Sequence, residues 1–528
     1  MRADTLRTYK TLHTWTGIVA GLALFIAFYA GALTMFKAPL ARWATPPVAG
    51  VASSPAQADA LIAQAMTARP DARADFTLYL GDAAIAPHIV WKPRGQATEW
   101  KATLAADGTL QVAPADPSGL GVFIDVIHRT AGLPVDLETG TLVMALVSAL
   151  YALAIVSGVI VLLPTLVKDF FALRIGRNLK RMWLDAHNVV GIVSLPFHLV
   201  MALSAMVFGL HDLVYDAQKA VVYGEPRFER IWKESGPFSA VRPDPAPAAL
   251  LPLQALDARV REQVPGFAPH TLRFRGAGTT GAAAWITGDM PCCMVRTAQG
   301  SPVLVSAVDG RLLHTEYLAG RQSGWMASVS AFFALHFGTY GGETVRWGYF
   351  FLGLAGAFLF YSGNLLWIES RRKAARGGNG PVVQRRATER MAAGTVGVAL
   401  GCVAGLSATV AAEKWLPGAA AGWREGVYAA VFLGSVAWAF ARGAGRGAVE
   451  LLWFSVAATL AIPVSGLLGW AWPASGLWLR ADSLGVEAVA LAGAAAFACM
   501  ARRTARRVAQ GPADSVWARP PEGTPLGL

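Results

Sequence analysis

The feature that most constrains this chain is a series of apolar stretches, each about as long as a membrane-spanning helix. A bilayer core about 30 Å thick requires about 20 such residues. Only 15% of the 528 residues are charged, against roughly 25% in soluble proteins. The sequence therefore predicts a mainly α-helical polytopic protein embedded in a lipid bilayer. Eight spans are expected, at residues 12–36, 141–164, 183–210, 345–368, 390–412, 424–441, 448–472 and 484–501.

The first stretch is longer than the apolar core of a signal peptide, so we expect it to be retained as a helix. The formal net charge is +12, and its basic residues cluster before the first span and after the second, fourth, sixth and eighth. With eight spans these clusters share one face, which the positive-inside rule makes cytoplasmic. This predicts a bacterial inner-membrane protein with both termini in the cytoplasm, and the charge does not indicate a nucleic-acid partner.

Two long segments then lie on the periplasmic side, and each reads as a small α+β module. In each, an amphipathic helix precedes alternating segments and an Asp-Gly turn, the pattern of a compact antiparallel sheet with one helix. In the first the elements are Ala56–Ala68, Phe76–Leu80, Ile89–Lys92, Trp100–Leu104 and Asp107-Gly108. In the second they are Leu253–Gln263, Thr271–Phe274, Ala284–Thr287, Val303–Val308 and Asp309-Gly310.

These patterns divide the chain into six consecutive regions. Residues 1–36 form the first span, 37–140 the first module, 141–210 the second and third spans, 211–344 the second module, and 345–375 the fourth span. Residues 376–528 hold four further spans, called the C-terminal extension below, and a cytoplasmic tail.

The first four spans and the two modules form an internal repeat. His13 opens the first span and His187 the third, and each begins a His-x3-Gly-Ile-Val motif. A further histidine precedes the second and fourth spans, His128 and His336, and both of those spans end in a Ser-Gly pair. Landmarks in the same order predict two related halves that form one four-helix bundle.

Histidines inside this bundle are the main candidate site residues, because an ionisable group at membrane depth is costly and is usually functional. On one continuous helix, His187 and His198 would share a face about 16 Å apart along the axis. Apart from Asp185, the cores of the first and third spans lack carboxylates, so paired neutral imidazoles favour haem iron over a hard metal ion. The alternative at this point is a helix–helix hydrogen bond or a proton relay.

The four cysteines form no CxxC pair, which disfavours zinc, iron–sulfur and covalently attached haem. The segment Met290–Met294 holds Cys292 and Cys293 side by side. A buried or oxidised pair is the expectation there, with a soft-metal patch as the alternative.

Four motifs in this order resemble the PepSY-associated transmembrane family over residues 5–375. They are Leu12-His13-x-Trp15-x-Gly17, His128-Arg129, Asp185-x-His187 and Leu335-His336-Phe337-Gly338. The resemblance extends to the two modules, which it identifies as PepSY-like. The family that it resembles includes inner-membrane ferric-siderophore reductases, in which histidines of the helical bundle bind two b-type haems. It thus implies haem-iron ligation by His13, His128, His187, His198 and His336.

The resemblance implies an oxidoreductase in iron uptake, which reduces a periplasmic ferric siderophore and releases ferrous iron. No Gly-x-Gly-x-x-Gly motif opens a nucleotide-binding unit, so electrons are expected from quinol or a cytoplasmic reductase. Two other classes stay open: a haem-free transporter with a histidine proton relay, and a PepSY-based signalling or inhibitory module.

The repeat pairs His13 with His187 on one haem. For the second haem, symmetry favours His128 with His336, whereas depth favours His198 with either of them. The C-terminal extension has no histidine, so its deletion is expected to leave both haems bound. Its own role is expected to be quinone docking, partner binding or scaffolding.

Overall fold

The structure is a computed structural model that describes residues 3–46, 55–81, 87–96, 98–115, 118–167, 179–290, 293–295, 297, 300–372, 385–416, 422–511 and 515–517. It forms two compact units. The helical unit comprises Met1–Pro47, Ser118–Leu210 and Tyr349–Leu528, and the sheet unit comprises Val48–Pro117 and His211–Gly348.

The α-helices follow the apolar and amphipathic segments of the sequence. They are α1 (Ala3–Thr34), α2 (Lys37–Ala44), α3 (Pro55–Ala68), α4 (Leu120–Thr130), α5 (Leu137–Leu162), α6 (Leu179–Val193), α7 (Leu195–Ala217), α8 (Glu225–Ser235), α9 (Leu253–Gln263), α10 (Gly324–Phe337), α11 (Gly342–Arg372), α12 (Arg386–Ala412), α13 (Trp423–Arg442), α14 (Ala444–Ala471) and α15 (Leu484–Gln510).

Seven helices in the described part of the chain are long and apolar enough to cross a membrane, so the chain is a membrane protein. They are Ala3–Thr34, Leu137–Thr165, Leu195–Tyr223, Gly342–Arg371, Arg386–Ala412, Ala444–Ala471 and Ala481–Gln510. The stretch predicted at 424–441 forms α13, which is not among the seven. Arg424, Glu425 and Arg442 lie at its ends and lower its hydropathy. The cytoplasmic placement of both termini needs α13 to cross as well, and it stays a prediction.

The packing of α13 on α12 is nevertheless that of neighbouring membrane helices. Three glycines of α12, spaced four residues apart, face α13 in antiparallel register. A Cβ at Gly397 would lie 2.8 Å from Cα of Val436, and one at Gly401 would lie 3.0 Å from the carbonyl oxygen of Phe432. At Gly405 it would lie 2.9 Å from the ring of Tyr428. Small residues at this spacing allow two helix backbones to approach closely in a bilayer.

The third span is not one helix, and the expectation of a continuous helix through its two histidines is wrong. The chain leaves α6 at Val193 and enters α7 at Leu195, just before Pro196, which has no N–H to donate. His187 therefore lies on α6 and His198 on α7. Two backbone hydrogen bonds bridge the junction: Ser194 N donates to Val190 O and His198 N donates to Ser194 O, each at 3.0 Å. Beyond the predicted end at residue 210, α7 continues to Ala217.

The two predicted modules share one antiparallel sheet rather than forming two separate sheets. Its strands are β1 (Asp75–Tyr79), β2 (His88–Trp91), β3 (Trp100–Leu104), β4 (Leu110–Pro114), β5 (Ala268–Arg275), β6 (Ala283–Asp289), β7 (Ser301–Ser306) and β8 (Leu312–His314). Their order is β4-β3-β2-β1-β5-β6-β7-β8. Strands β1 and β5 pair across the middle, with the rings of Phe76 and Phe274 stacked at 5.0 Å. The sequence did not predict β4 and β8.

In the helical unit, the extension joins α2 through a buried charged cluster. Lys414, which follows α12, has a fully buried side chain, and its Nζ donates to the carbonyl oxygen of Trp478 at 2.9 Å. The ammonium lies 3.7 Å from Oε1 of Glu487 and 4.0 Å from the ring centroid of Trp43 on α2. The indole N–H of Trp43 donates to the same carboxylate oxygen at 2.6 Å. One lysine and one glutamate thus connect α2, α12 and α15.

This cluster makes the stability of the protein depend on pH. Desolvation by burial outweighs the attraction of Glu487 and lowers the pKa of the Lys414 ammonium to about 8. Between that pH and the ordinary lysine pKa, the unfolded chain binds a proton that the folded chain lacks, so stability rises with pH in this window. In Lys414→Met this rise in stability should be absent. Below pH 8, the stability of the variant and that of the wild type should change with pH in parallel. Thermal unfolding in detergent measures it.

The exposed Lys233, whose side chain is 80% accessible, provides the control. Lys233→Met should keep the wild-type pH profile. A Lys414→Met profile that stays parallel to the wild type up to pH 10 would show that the lysine does not lose its proton on folding.

Candidate functional site

His13 and His187, the repeat-related histidines, both pack on the glycine of the Ser-Gly pair at the end of the following span. His13 Nδ1 donates to the carbonyl oxygen of Ala154 on α5 at 2.8 Å. A Cβ at Gly158 would lie 2.9 Å from His13 Cε1, so glycine there makes space for the imidazole. His187 Nδ1 lies 3.0 Å from Oγ of Ser362 on α11, and Gly363 follows.

The orientation of His187 follows from the second hydrogen bond of Ser362. The serine hydroxyl donates to the carbonyl oxygen of Leu359 at 3.1 Å, so its single hydrogen is used and its oxygen accepts from His187 Nδ1–H. His187 also lies within electrostatic range of both His13 and His198. The structure thus brings these three predicted residues together.

Glycines beside both repeat histidines border open space. Gly17 and Gly191 lie four residues after His13 and His187, on the same face of each helix. A Cβ at Gly17 would meet no atom within 4 Å, and one at Gly191 only a methyl group of Leu359 at 3.9 Å.

His128, near the end of α4, is fixed against the middle of α1. Its Nδ1 donates to the carbonyl oxygen of Ala27 at 2.7 Å. The ring packs directly on Gly31, where a Cβ would lie 2.8 Å from Nδ1. From His13 to Ala27 is fourteen residues of α1, about 21 Å of helix. The contacts of His13 and His128 therefore lie at two different levels of one helix.

His198 is the most enclosed of these histidines, with 3% of its surface exposed. Its Nδ1 is hydrogen-bonded to the hydroxyl of Tyr151 on α5, and the rings of Phe28 and Phe197 lie 5.7 and 5.6 Å away. Its Nε2 is buried and has no hydrogen-bond partner among the described residues. A buried ring nitrogen without a partner is costly, which is a reason to expect a ligand there.

The last candidate, His336, lies in the sheet unit, in the final turn of α10. Its ring packs edge-on against Phe337 at 5.4 Å, and Gly338 ends the helix in the left-handed conformation. The choice between His128–His336 and a pair that includes His198 stays open.

The other chemically reactive residues give weaker indications. Asp185 is buried and lies 3.4 Å from Arg181, and His211 pairs with Asp212 at 3.1 Å. Cys293 is disulfide-bonded, whereas Cys292 is outside the described residues. Among the residues that the structure describes, no group of three or more His, Cys, Asp or Glu side chains could hold a metal ion. Three other histidines, His88, His270 and His314, lie on strands of the sheet.

Sequence reasoning missed the residues that orient the histidines. Tyr151 carried no signal, because a tyrosine in an apolar span is ordinary. Ser362 was visible as a repeat landmark, but its contact with His187 was not. The carbonyl groups of Ala27 and Ala154 leave no trace in the sequence.

Comparison with protein-family models matches the PepSY-associated TM region over residues 10–370. This covers more than half of the chain and every candidate histidine, so the protein belongs to this family. The C-terminal extension lies beyond the match. No curated protein matches the chain.

Proposed function

We propose that the protein is a di-haem b-type membrane protein that passes electrons across the bacterial inner membrane to a periplasmic ferric chelate. The observation that carries this proposal is the fixed Nδ1 of four bundle histidines. A metal-ligating histidine commonly donates Nδ1–H to an oxygen, which leaves Nε2 free for the metal. His13, His128 and His187 each make such a bond, and His198 has a buried, unpartnered Nε2.

The contacts of His13 and His128 lie at two levels, one for each proposed haem. His13 and His187 would hold one haem, next to the space at Gly17 and Gly191. His128 would hold the other, with His336 or His198 as its partner. The bound haems would supply one-electron chemistry. The chain fixes the imidazole orientations, sets the spacing, and keeps water away from His198 with aromatic rings.

The substrate class follows from the family resemblance and from the chemistry of iron. A siderophore holds Fe³⁺ tightly and Fe²⁺ far more weakly, so one electron per iron suffices to release it. The reduction half-reaction, in which Fe³⁺ gains one electron to become Fe²⁺, requires an electron donor. We propose quinol or a cytoplasmic reductase, with both protein termini in the cytoplasm and the sheet unit in the periplasm.

One observation favours a second candidate, a haem-free transporter with a proton relay. The hydroxyl of Tyr151 and the imidazole of His198 form a buried hydrogen bond between two helices, and such pairs occur in proton pathways. A signalling or inhibitory role for the sheet unit has no specific support among the contacts described.

A visible spectrum of the purified protein separates these functions. We expect sharp α-bands on reduction and two haems per chain by the pyridine haemochrome assay. The reduced protein is then mixed with a ferric siderophore in a stopped-flow instrument, and we expect the haem to reoxidise.

Absence of the bands would refute the haem proposal and leave the relay. Haem that stays reduced with every siderophore, yet reoxidises with a small soluble oxidant, would exclude ferric chelates as the acceptor.

A further inference from the structure

The helix that carries His128 lies between α1 and the C-terminal extension. On one side, His128 of α4 faces α1, where its ring packs on Gly31. On the other, Phe123 packs edge-on against Tyr428 of α13 at 5.9 Å. Residues of α4 and α1 share one buried cluster with Cys402, Leu406 and Tyr428 of the extension. An isolated helix of eleven residues is marginally stable, so packing on these two sides determines where α4 lies.

The first end of α4 is held by an ion pair of the extension. Gly119, at the N-cap position, has no side chain to cap the helix, and Ser118 precedes it. The Ser118 hydroxyl donates to Oε1 of Glu413 at 2.8 Å. Arg424 of α13 binds both oxygens of that carboxylate, at 2.5 and 2.9 Å. The Glu413 side chain is only 5% exposed, so dissolved salt screens this ion pair little.

The other end of α4 is held by Tyr428, one turn further along α13. The helix ends in a tight turn, with Ala131 at φ 51° and Gly132 at φ 70°. A Cβ at Gly132 would lie 3.2 Å from the Tyr428 ring. The extension therefore contacts α4 on both sides of His128, through residues four apart on one face of α13.

We propose that Glu413, Arg424 and Tyr428 form a clamp by which the C-terminal extension positions His128 against α1. The clamp gives the histidine-free extension a role in the candidate site. Its functional meaning rests on the proposed function, in which His128 is an iron ligand. The three are positioning residues, since they act through α4 and not on a substrate.

The test is the rate at which diethyl pyrocarbonate modifies His128 in the full-length protein, followed by mass spectrometry. His211, whose side chain is 47% exposed, is the internal reference. In Arg424→Gln, α4 should separate from the extension more often. We expect His128 modification about tenfold faster, which corresponds to about 1.4 kcal/mol in the opening equilibrium.

The matched control is Arg442→Gln. Arg442 forms the same kind of two-point ion pair, with Glu450 at 2.7 and 3.0 Å, within the same extension. This variant should leave the His128 rate unchanged. Glu413→Gln keeps the side-chain shape and serves if Arg424→Gln misfolds. In the double variant of Arg424→Gln and Glu413→Gln, His128 should be modified no faster than in either single variant, because all three variants remove the same ion pair.

Equal His128 rates in Arg424→Gln and the wild type, or an equal rise in Arg442→Gln, would overturn the clamp. In the haem-loaded protein, Arg424→Gln should also shift the low-spin signal of one haem only, whereas Arg442→Gln should shift neither. Wild-type protein without haem would refute the proposed function, while the modification rates would still test the clamp.

Discussion

His13→Ala and His187→Ala are each expected to lose one of the two proposed haems, which halves the haem content per protein. The two residues occupy equivalent positions in the repeat, and each packs on the glycine of the Ser-Gly pair of the following span. Either substitution would remove one of the two imidazoles expected to hold that haem iron, and the haem would then be bound far more weakly. The second haem should remain, because His128 contacts α1 at another level.

The measurement is the pyridine haemochrome assay, normalised to protein by amino-acid analysis. His211→Ala is the matched control, since His211 is half-exposed and pairs with its neighbour Asp212, and it should keep both haems. If both alanine variants retained two haems, the pairing of His13 with His187 would be wrong. Loss in only one of them would show that the other histidine is replaceable or not a ligand.

The candidate residues could be predicted from the sequence because imidazoles in apolar spans are rare and costly. Their order within a repeat then indicated that His13 and His187 belong together. The orienting partners could not be predicted. Whether Ala154 or a neighbour presents its carbonyl to His13 depends on how α5 is rotated about its axis. Neighbouring residues of a helix point about 100° apart, so a small error in that rotation selects a different carbonyl.

The sheet shows a different limit of sequence reasoning. Each half has its own helix, strands and Asp-Gly turn, so each is locally consistent as a separate module. The pairing of β1 with β5 joins residues about two hundred positions apart, such as Thr77 with Arg273. An unpaired strand edge favours such an addition, but nothing in either half specifies its partner.

The break between α6 and α7 could have been predicted from the sequence. Pro196 lies nine residues after His187, and proline disfavours the helical conformation in the residue before it. The apolar stretch continues on both sides of Pro196, and membrane helices tolerate proline. The sequence was therefore interpreted as a single helix. The spacing of His187 and His198 is consequently set by two helices and the bend at Ser194.

A chain that ends at residue 384 is expected to lose the haem proposed at His128 and to keep the one proposed at His13 and His187. The absence of histidine in the extension predicts that both would remain. The structure changes that expectation, because α12 and α13 supply part of the buried surface around α1 and α4. Phe25 and Ala30 share that cluster with Val403 and Leu406. The contacts of His13 and His187 involve α5 and α11 instead.

Haem per protein, measured on the monodisperse fraction of the truncated protein, decides between these outcomes. Removal of residues 518–528 alone is the control and should keep both haems. Two haems in a well-folded truncation would show that α1 and α5 suffice to position His128, and the extension would then act elsewhere. Loss of both would mean that the buried cluster stabilises the whole bundle. Retention of one haem, with His128 newly open to modification, is the result that the packing of α4 on α13 predicts.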